Sequence, residues 1–248
     1  METLVKKKIY KGEVTQVSQA AKDLFYIKIK ADGICARAGQ FISIYCGELT
    51  LRRPFSVMSA KDNELTVLFK LKGKGTDYMR KLSVGDVVDF SGAFGNGFHI
   101  ENKKSLIIGA GVGVAPVHFL KEELDKQGIE NYLMAGFLNK ENIPVDLNID
   151  EIVTNDGSAG QKGSVIDYLE KAIAEYKPEK IYSCGPSIVL KLVSEIAQKY
   201  NIPAEIAMEK EMACSIGVCR GCVIELKNGK NASVCKDGPV FHGEEIKW

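Results

Sequence analysis

Four cysteines within the last 35 residues constrain the fold of this 248-residue chain more than any other feature: Cys214, Cys219, Cys222 and Cys235. Four residues separate the first two, two separate the middle pair, and twelve precede the last. Plant-type ferredoxins use the same spacing, C-x4-C-x2-C with a distant fourth cysteine, to hold a [2Fe-2S] cluster. Gly217 and Gly221 allow backbone N–H groups to approach the sulfur atoms. The spacing predicts an iron–sulfur site.

Two alternatives to this interpretation remain open. Structural zinc sites are typically built from paired C-x2-C knuckles or from cysteine and histidine together, whereas this segment has one C-x2-C pair. Two disulfides are the other alternative, but the total of seven cysteines is odd and four of them are clustered. Cys35 and Cys46 lie in strand-like segments, where we expect small buried side chains.

Charge and hydropathy argue against binding to nucleic acid or to a membrane. The chain has 33 basic and 32 acidic residues, so it lacks the strong positive field of a nucleic-acid-binding protein. Its longest uncharged stretch, residues 105–120, is shorter than a membrane span and contains three glycines and a proline. The first ten residues lack the apolar stretch of a secretory signal. We expect a cytoplasmic protein.

Hydrophobic periodicity divides the chain into three predicted parts: residues 1–101, 102–204 and 205–248. The first part has short alternating runs typical of a β-barrel or β-sandwich, with one short helix at 76–82. Its predicted strands are 9–17, 24–30, 40–45, 55–59, 64–72 and 87–91. The second part alternates strands with helices, which predicts a parallel sheet covered by helices. Its predicted strands are 105–108, 132–137, 151–154 and 180–183, and its predicted helices are 115–127, 164–176 and 187–200. The last part is too poor in apolar residues to build a core unaided, and a metal centre would supply folding energy.

Two glycine-containing turns in the second part predict a nucleotide site. Gly109, Gly111 and Gly113 follow an apolar strand and precede a helix that we place near Pro116, although Val114 departs from the usual dinucleotide fingerprint. The second turn, Cys184-Gly185-Pro186, follows a later strand of the same predicted sheet. Ligands bind at the carboxyl ends of such strands. A packing role for the glycines is the competing interpretation.

The predicted nucleotide site has one candidate for cofactor selection. Asp156 ends the third predicted strand and can accept hydrogen bonds from the adenosine ribose, and its charge would oppose a 2′-phosphate. Lys162 is the nearby cation that would favour a 2′-phosphate. The pattern favours NADH over NADPH, and a purely structural role for an aspartate in a turn stays open.

A third motif lies in the first part. Arg52, Arg53, Pro54, Phe55 and Ser56 enter a predicted strand, and Gly73-Lys74-Gly75-Thr76 precedes the short helix. An arginine, a hydroxyl group and a helix start can together hold a pyrophosphate. Each also has an ordinary interpretation, as a solvated charge pair or as turn residues.

These motifs, in this order, resemble the ferredoxin-reductase superfamily over nearly the whole chain. An R-x-[YF]-[ST] barrel motif binds flavin there, and a G-x-G-x-G-x-x-P turn and a C-G-P turn receive the nicotinamide dinucleotide. With the four cysteines added, the chain most resembles the electron-transfer subunits of type B, NAD-dependent dihydroorotate dehydrogenases. Further segments similar to those subunits are 92–98, 156–158 and 208–214. The resemblance implies an antiparallel β-barrel flavin domain, a parallel α/β nucleotide domain and a small C-terminal [2Fe-2S] module.

The resemblance also implies cofactors and site residues. FAD, a [2Fe-2S] cluster and exchangeable NAD(H) are expected, with the cluster on the four C-terminal cysteines and Cys184 where the nicotinamide lies. The residues expected to contact FAD are Arg53, Pro54, Phe55, Ser56, Leu68, Phe69, Lys70, Gly75 and Thr76. No residue is predicted to act as a catalytic base for dihydroorotate.

The resemblance finally implies a partner: an FMN-containing catalytic subunit that oxidises dihydroorotate to orotate in pyrimidine synthesis, with two copies of each chain. Flavin is needed between the other two groups because nicotinamide exchanges two electrons as hydride, whereas an iron–sulfur cluster passes one at a time. Related reductase subunits of electron-bifurcating transhydrogenases and sulfhydrogenases share much of the pattern. A redox-sensing subunit without turnover and a self-contained reductase are the remaining alternatives.

Overall fold

Two seven-stranded sheets and a small C-terminal hairpin make up the computed structural model, which describes residues 9–248. The predicted first part begins with residues 1–8, which lie outside the described residues. In the described region the structure confirms the predicted fold class, an antiparallel β domain followed by a mostly parallel α/β domain.

The first sheet is antiparallel, with strand order β4-β3-β7-β1-β2-β6-β5. Its strands are β1 (Ile9–Ala21), β2 (Leu24–Lys30), β3 (Phe41–Ile44), β4 (Arg53–Ser56), β5 (Ser59–Lys61), β6 (Glu64–Lys70) and β7 (Val87–Phe94). The helix α1 (Lys74–Arg80) follows β6.

One difference from the sequence prediction shows that this sheet curves into a barrel. The single strand predicted at 55–59 is in fact the end of β4 and the start of β5, which lie at opposite edges of the sheet. Only Val57 and Met58 connect them, and two residues span only a few ångströms of chain, about 3.8 Å between successive Cα atoms. The two edges therefore lie close together. The rings of Phe55 on β4 and Phe69 on β6, 6.1 Å apart, pack across the closure.

The second sheet is parallel except for one edge strand, with order β11-β10-β9-β8-β12-β13-β16. Its strands are β8 (Ser105–Ala110), β9 (Asn131–Phe137), β10 (Glu151–Thr154), β11 (Gln161–Lys162), β12 (Lys180–Cys184), β13 (Ala204–Ala207) and β16 (Val240–His242). Its helices are α2 (Val114–Lys126), α3 (Val165–Tyr176) and α4 (Ser187–Lys199). The chain proceeds from β8 outward through β9 and β10 to β11 and then returns to β12 on the other side of β8. The carboxyl ends of β8 and β12 therefore flank the topological switch point, where such sheets bind ligands.

The C-terminal residues are connected to the second sheet through two strands. The predicted boundary between residues 204 and 205 falls inside β13, which pairs with β12, and β16 pairs with β13. Between them lie the cysteines and a hairpin of β14 (Val223–Glu225) and β15 (Asn231–Ser233). The apolar cluster under the hairpin also contains Phe41 and Phe94 of the barrel and Leu190 of α4. Both larger domains thus contribute apolar surface that this short segment lacks.

Among residues 9–248, no helix combines the length and apolar composition needed to cross a membrane.

A buried lysine connects the barrel end to the second sheet. The Lys180 ammonium group, on a side chain 2% exposed, lies 2.8 Å from a carboxylate oxygen of Glu101 and 3.0 Å from one of Glu205. The other oxygen of Glu205 accepts a hydrogen bond from the backbone N–H of His99. Hydrogen bonds from Lys103 and Lys180 lower the pKa of Glu101 to about 2. The network fixes residues 99–101 against β12 and β13.

Replacing this lysine should destabilise the fold. Lys180→Met leaves Glu205 buried without its cationic partner, and we expect the free energy of unfolding to fall by about 3 kcal/mol. Lys103→Met removes an exposed partner of the same Glu101 and should cost less than about 1 kcal/mol. Denaturant unfolding of both variants checks this, and equal losses would contradict the role given to the buried pair.

Candidate functional site

The first site is the cysteine cluster, which the β14–β15 hairpin assembles. Cys222 directly precedes β14, Cys235 follows β15 by two residues, and the pairing of Val223 with Ser233 brings the two cysteines together. The backbone N–H of Cys235 donates to Cys222 Sγ at 3.4 Å. A loop of residues 214–222 carries the other cysteines. The hairpin thus returns the distant fourth cysteine to the loop.

Backbone N–H groups point at the sulfur atoms throughout this loop. Cys214 Sγ accepts from the N–H groups of Ile216 at 3.5 Å and Cys219 at 3.4 Å. Cys235 Sγ accepts from Gly217 at 3.0 Å, and Cys219 Sγ accepts from Gly221 at 3.4 Å. Such donors stabilise negative charge on sulfur, which metal-bound thiolates carry. Gly217 has φ +80°, and a side chain there would collide with Lys236.

The thiols differ in their readiness to ionise. Partial burial opposes the charged form of Cys214, but the N–H groups of Cys219 and Ile216 outweigh it and lower its pKa to about 6. Burial and the neighbouring Cys222 thiol raise the pKa of Cys235 to about 12. None of the four forms a disulfide. The thiols contact each other in two pairs, Cys214 with Cys219 and Cys222 with Cys235, and the N–H donors around them fit an iron–sulfur cluster.

The second site is a cavity of about 250 Å³ between the barrel, the second sheet and the C-terminal segment. The barrel supplies Phe55 and Phe69, α2 supplies Ala115, and the segment before the cysteine loop supplies Met212. An apolar cavity with aromatic walls suits a flat ring system. All three parts of the chain therefore border this cavity.

Most residues expected to contact FAD lie together here. Those lining the cavity are Pro54, Phe55, Ser56, Leu68, Phe69, Lys70 and Thr76. Arg53 and Gly75 lie beside the cavity and close to each other: a methyl group on Gly75 would contact the Arg53 side chain at 3.2 Å. The hydroxyl of Thr76 accepts from the N–H groups of Lys72 and Gly73, so it also holds the turn before α1.

The third site is a cleft of about 510 Å³ at the carboxyl ends of the second sheet. It is lined by Gly111 and Gly113 from the first glycine turn and by Gly185 and Pro186 from the second. The helix starts of α2, α3 and α4 all border it, through Gly113, Val165 and Pro186. Helix N-termini present free N–H groups and a positive dipole end, which favour phosphate. α2 begins at Val114 after a 3-10 turn at Gly111–Gly113, slightly earlier than predicted.

Two of the predicted residues shape the cleft without lining it. A Cβ atom on Gly113 would lie 2.5 Å from the carbonyl oxygen of Cys184, so glycine permits the two turns to touch. Gly109 packs against Val114 and Val117 in the same way. Cys184 is 2% exposed, and burial raises the pKa of its thiol. Gly109 and Cys184 thus lie beneath the cleft floor.

Asp156 lies in an exposed turn after β10 and does not line the cleft, whereas its neighbour Asn155 does. Its carboxylate accepts hydrogen bonds from the hydroxyl and the N–H of Ser158, which lower its pKa. The charged carboxylate is therefore placed at the outer edge of the cleft.

The cavity and the cleft meet at four shared residues: Lys70, Lys72, Val112 and Glu209. Lys70 was expected to contact FAD, but Lys72 and Glu209 were not predicted as site residues. Glu209 is exposed to solvent at this junction. Surrounding protein nonetheless limits the hydration of its carboxylate and raises its pKa, and the nearby Lys72 opposes this increase. Glu209 lies in the segment 208–214 that resembles the electron-transfer subunits, but it was not predicted as a site residue because β13, which ends two residues earlier, was not predicted.

Another set of possible metal ligands in the described part of the chain is already neutralised. His99, Glu101 and Glu205 place ligand atoms close together, but the Lys180 ammonium binds both carboxylates.

Comparison with known proteins identifies similar chains. Residues 209–247 match the family model for the iron-sulfur cluster binding domain of dihydroorotate dehydrogenase B. The electron transfer subunit of dihydroorotate dehydrogenase B (NAD(+)) from Caldanaerobacter subterraneus subsp. tengcongensis is 36% identical, over 95% of this chain and 97% of its own length. The corresponding Streptococcus mutans subunit is 34% identical over 96% of this chain and 98% of its own.

Solved structures resemble the whole architecture. A chain of the NADH-dependent reduced ferredoxin-NADP oxidoreductase, described for flavin-based electron bifurcation, has a TM-score of 0.88 at 29% identity. The alignment covers 96% of this chain and 90% of that one. The ferredoxin reductase of carbazole 1,9a-dioxygenase has a TM-score of 0.68 at 20% identity, over 81% of this chain and 68% of its own, which shows a shared fold.

The metal site can be tested through its most exposed ligand. Cys219→Ser should remove the iron–sulfur absorption bands and lower the iron content from about two atoms per chain, because the cluster needs four thiolates. Cys35 was expected to be buried in a strand, but it is exposed in the loop between β2 and β3. Cys35→Ser is therefore the matched control and should leave both unchanged. Full iron content in Cys219→Ser, or stoichiometric zinc in the parent protein, would contradict the assignment.

Proposed function

This chain belongs to the family of electron transfer subunits of dihydroorotate dehydrogenase B, and on that premise we propose how it carries electrons. It is an oxidoreductase subunit that passes electrons between NAD(H), FAD and a [2Fe-2S] cluster. The observation that carries the residue assignment is the adjacency of the three sites. The cleft shares four residues with the cavity, and the cavity is lined by Met212, two residues before the first cysteine.

Bound FAD would exchange two electrons with NAD(H) as a hydride and single electrons with the cluster. The chain's own residues provide the surroundings. Phe55 and Phe69 exclude water from one side of the cavity. The helix starts at Gly113 and Pro186 bind dinucleotide phosphates. Lys70, Lys72 and Glu209, at the shared border, supply charged and polar groups where nicotinamide and flavin must meet.

Asp156 selects NADH in this proposal. Its carboxylate at the outer edge of the cleft would bind the ribose hydroxyls and repel a 2′-phosphate. Asp156→Ser should lower the preference for NADH over NADPH by about tenfold, equivalent to about 1.4 kcal/mol. The measurement is kcat/KM with each dinucleotide and an artificial electron acceptor. Asp146→Ser, in the loop before β10, serves as the exposed control, and an unchanged ratio in Asp156→Ser would leave Asp156 a turn residue.

The electron transfer subunit works with a catalytic dihydroorotate dehydrogenase subunit. We propose that this partner carries FMN and the dihydroorotate site, that two copies of each chain assemble, and that the complex is cytoplasmic. The exposure of Cys219 at the protein surface supports the proposal that electrons leave the cluster there toward such a partner.

A second candidate has one supporting observation. The similarity to the NADH-dependent reduced ferredoxin-NADP oxidoreductase extends over nearly the full length of both chains. A reductase subunit of a bifurcating transhydrogenase or of a sulfhydrogenase would use the same three sites with another partner.

The partner decides between these functions. We expect affinity-tagged chain, expressed in its own cells, to co-purify with an FMN-containing subunit, and the complex to reduce NAD+ with dihydroorotate. The isolated chain should oxidise NADH with a dye but show no activity with dihydroorotate. Co-purification with a ferredoxin-dependent or sulfur-reducing subunit would favour the second candidate. A chain that purifies alone and reduces a dye would indicate a self-contained reductase. A flavin that stays oxidised when NADH is added would indicate a redox sensor.

A further inference from the structure

A buried hydrogen bond joins the barrel to the cysteine loop. The hydroxyl of Ser43 donates to the hydroxyl of Ser215 at 2.6 Å, across 172 positions of sequence. Ser43 is 0% exposed and Ser215 is 2% exposed. Two hydroxyl groups lose their water when buried together, and that loss is compensated only while they bind each other.

Ser43 lies on the strand that links the two cofactor sites. Successive side chains of β3 point to opposite faces. Ile42 and Ile44 fill the barrel core, whereas Phe41 packs in the apolar cluster that contains Cys222 and Cys235. Ser43 shares the face of Phe41 and therefore points toward the cysteine loop.

The same strand borders the flavin cavity. β3 pairs with β4 through Ser43 opposite Pro54, and both Phe41 and Pro54 line the cavity. A displacement of the cysteine loop relative to Ser43 is therefore a displacement relative to the cavity wall.

Ser215 occupies a conformation that requires support. It follows Cys214 directly and has φ +59°, in the left-handed region that non-glycine residues rarely adopt. On its other side, the N–H groups of Ile216 and Gly217 bind the sulfurs of Cys214 and Cys235. A hydrogen bond to Ser215 therefore helps to hold the backbone whose N–H groups point at the sulfur atoms.

A separate contact holds the other end of the cysteine segment. The Asn96 side chain donates to the carbonyl of Val240 at 2.7 Å, and its carbonyl oxygen accepts from the Val240 N–H at 3.1 Å. This contact anchors the chain after Cys235. The loop of residues 214–222 is contacted instead from β3, through Ser43.

We propose that the Ser43–Ser215 hydrogen bond sets the position of the cysteine loop against the flavin cavity. Both serines are thus positioning residues for electron transfer between flavin and cluster. The inference rests on the proposed function, because it assigns these serines to the flavin-to-cluster step. Electron transfer rates fall steeply with separation, so a shift of the cysteine loop on loss of this hydrogen bond would lower the rate.

The test compares Ser43→Ala, Ser215→Ala and the double variant in the full chain loaded with both cofactors. Ser59→Ala is the matched control, since Ser59 makes a half-buried hydroxyl–hydroxyl bond to Thr66 within the barrel, at 3.1 Å. Three rates are measured. The first is the rate at which a chelator removes iron, which reports loop opening, and the other two are the rates of flavin bleaching and of cluster reduction after NADH is added.

Each single variant leaves one buried hydroxyl unpaired and should release iron about tenfold faster. Flavin bleaching should be unchanged, and cluster reduction should be slower severalfold. The double variant has no unpaired hydroxyl, so its iron release should return near the parent rate while cluster reduction stays slow. Ser59→Ala should match the parent in all three measurements.

Recovery of both iron retention and cluster reduction in the double variant would overturn the proposal, because the bond would then only stabilise the fold. Equal slowing of bleaching and cluster reduction, or no change in either single variant, would also overturn it. If a single variant fails to fold, the double variant decides between the two roles. If NADH does not bleach the flavin of the parent protein, the proposed function is refuted. The flavin-to-cluster step could then still be compared among the variants after chemical reduction of the flavin.

Discussion

Contact between three binding sites is the constraint on which the rest of this structure depends. Electrons move between cofactors only over short distances, so each site must border the next. The cavity proposed to bind flavin meets this requirement because its walls come from the barrel, the α/β domain and the segment before the cysteines. β13 and β16 place the C-terminal segment in the second sheet, which fixes the cysteines beside the cavity.

The cysteine site also illustrates how charge is accommodated. Thiolates near a buried core would be costly without compensation. Here the compensation comes mainly from backbone N–H groups, held in place by left-handed residues such as Gly217 and Ser215. The N–H groups are donors from the loop itself, so the loop conformation and the affinity for the cluster depend on each other.

Much of this arrangement was predictable from the sequence, where local chemistry leaves a local signature. The cysteine spacing, the two glycine turns and the switch from alternating to helical periodicity each pointed to the correct type of element.

The prediction of one strand at 55–59 was wrong because periodicity does not show that the chain crosses between sheet edges there. Strands β13 and β16 were missed because each is short and buried by neighbours distant in sequence. Lys72 and the Ser43–Ser215 pair depend on tertiary contacts and have no local signature, and the resemblance of segment 208–214 did not show that Glu209 lies where the cavity and the cleft meet. The C-terminal segment looked too polar to fold alone, and the structure shows that Phe41, Phe94 and Leu190 complete its core.

The most direct test of the three-site account is an anaerobic titration of the purified, cofactor-loaded chain with NADH, followed by absorbance and by electron paramagnetic resonance. The account predicts that flavin absorbance bleaches and that the signal of a reduced [2Fe-2S] cluster then develops without any other protein. A flavin that bleaches while the cluster stays oxidised, although dithionite reduces it, would contradict the account.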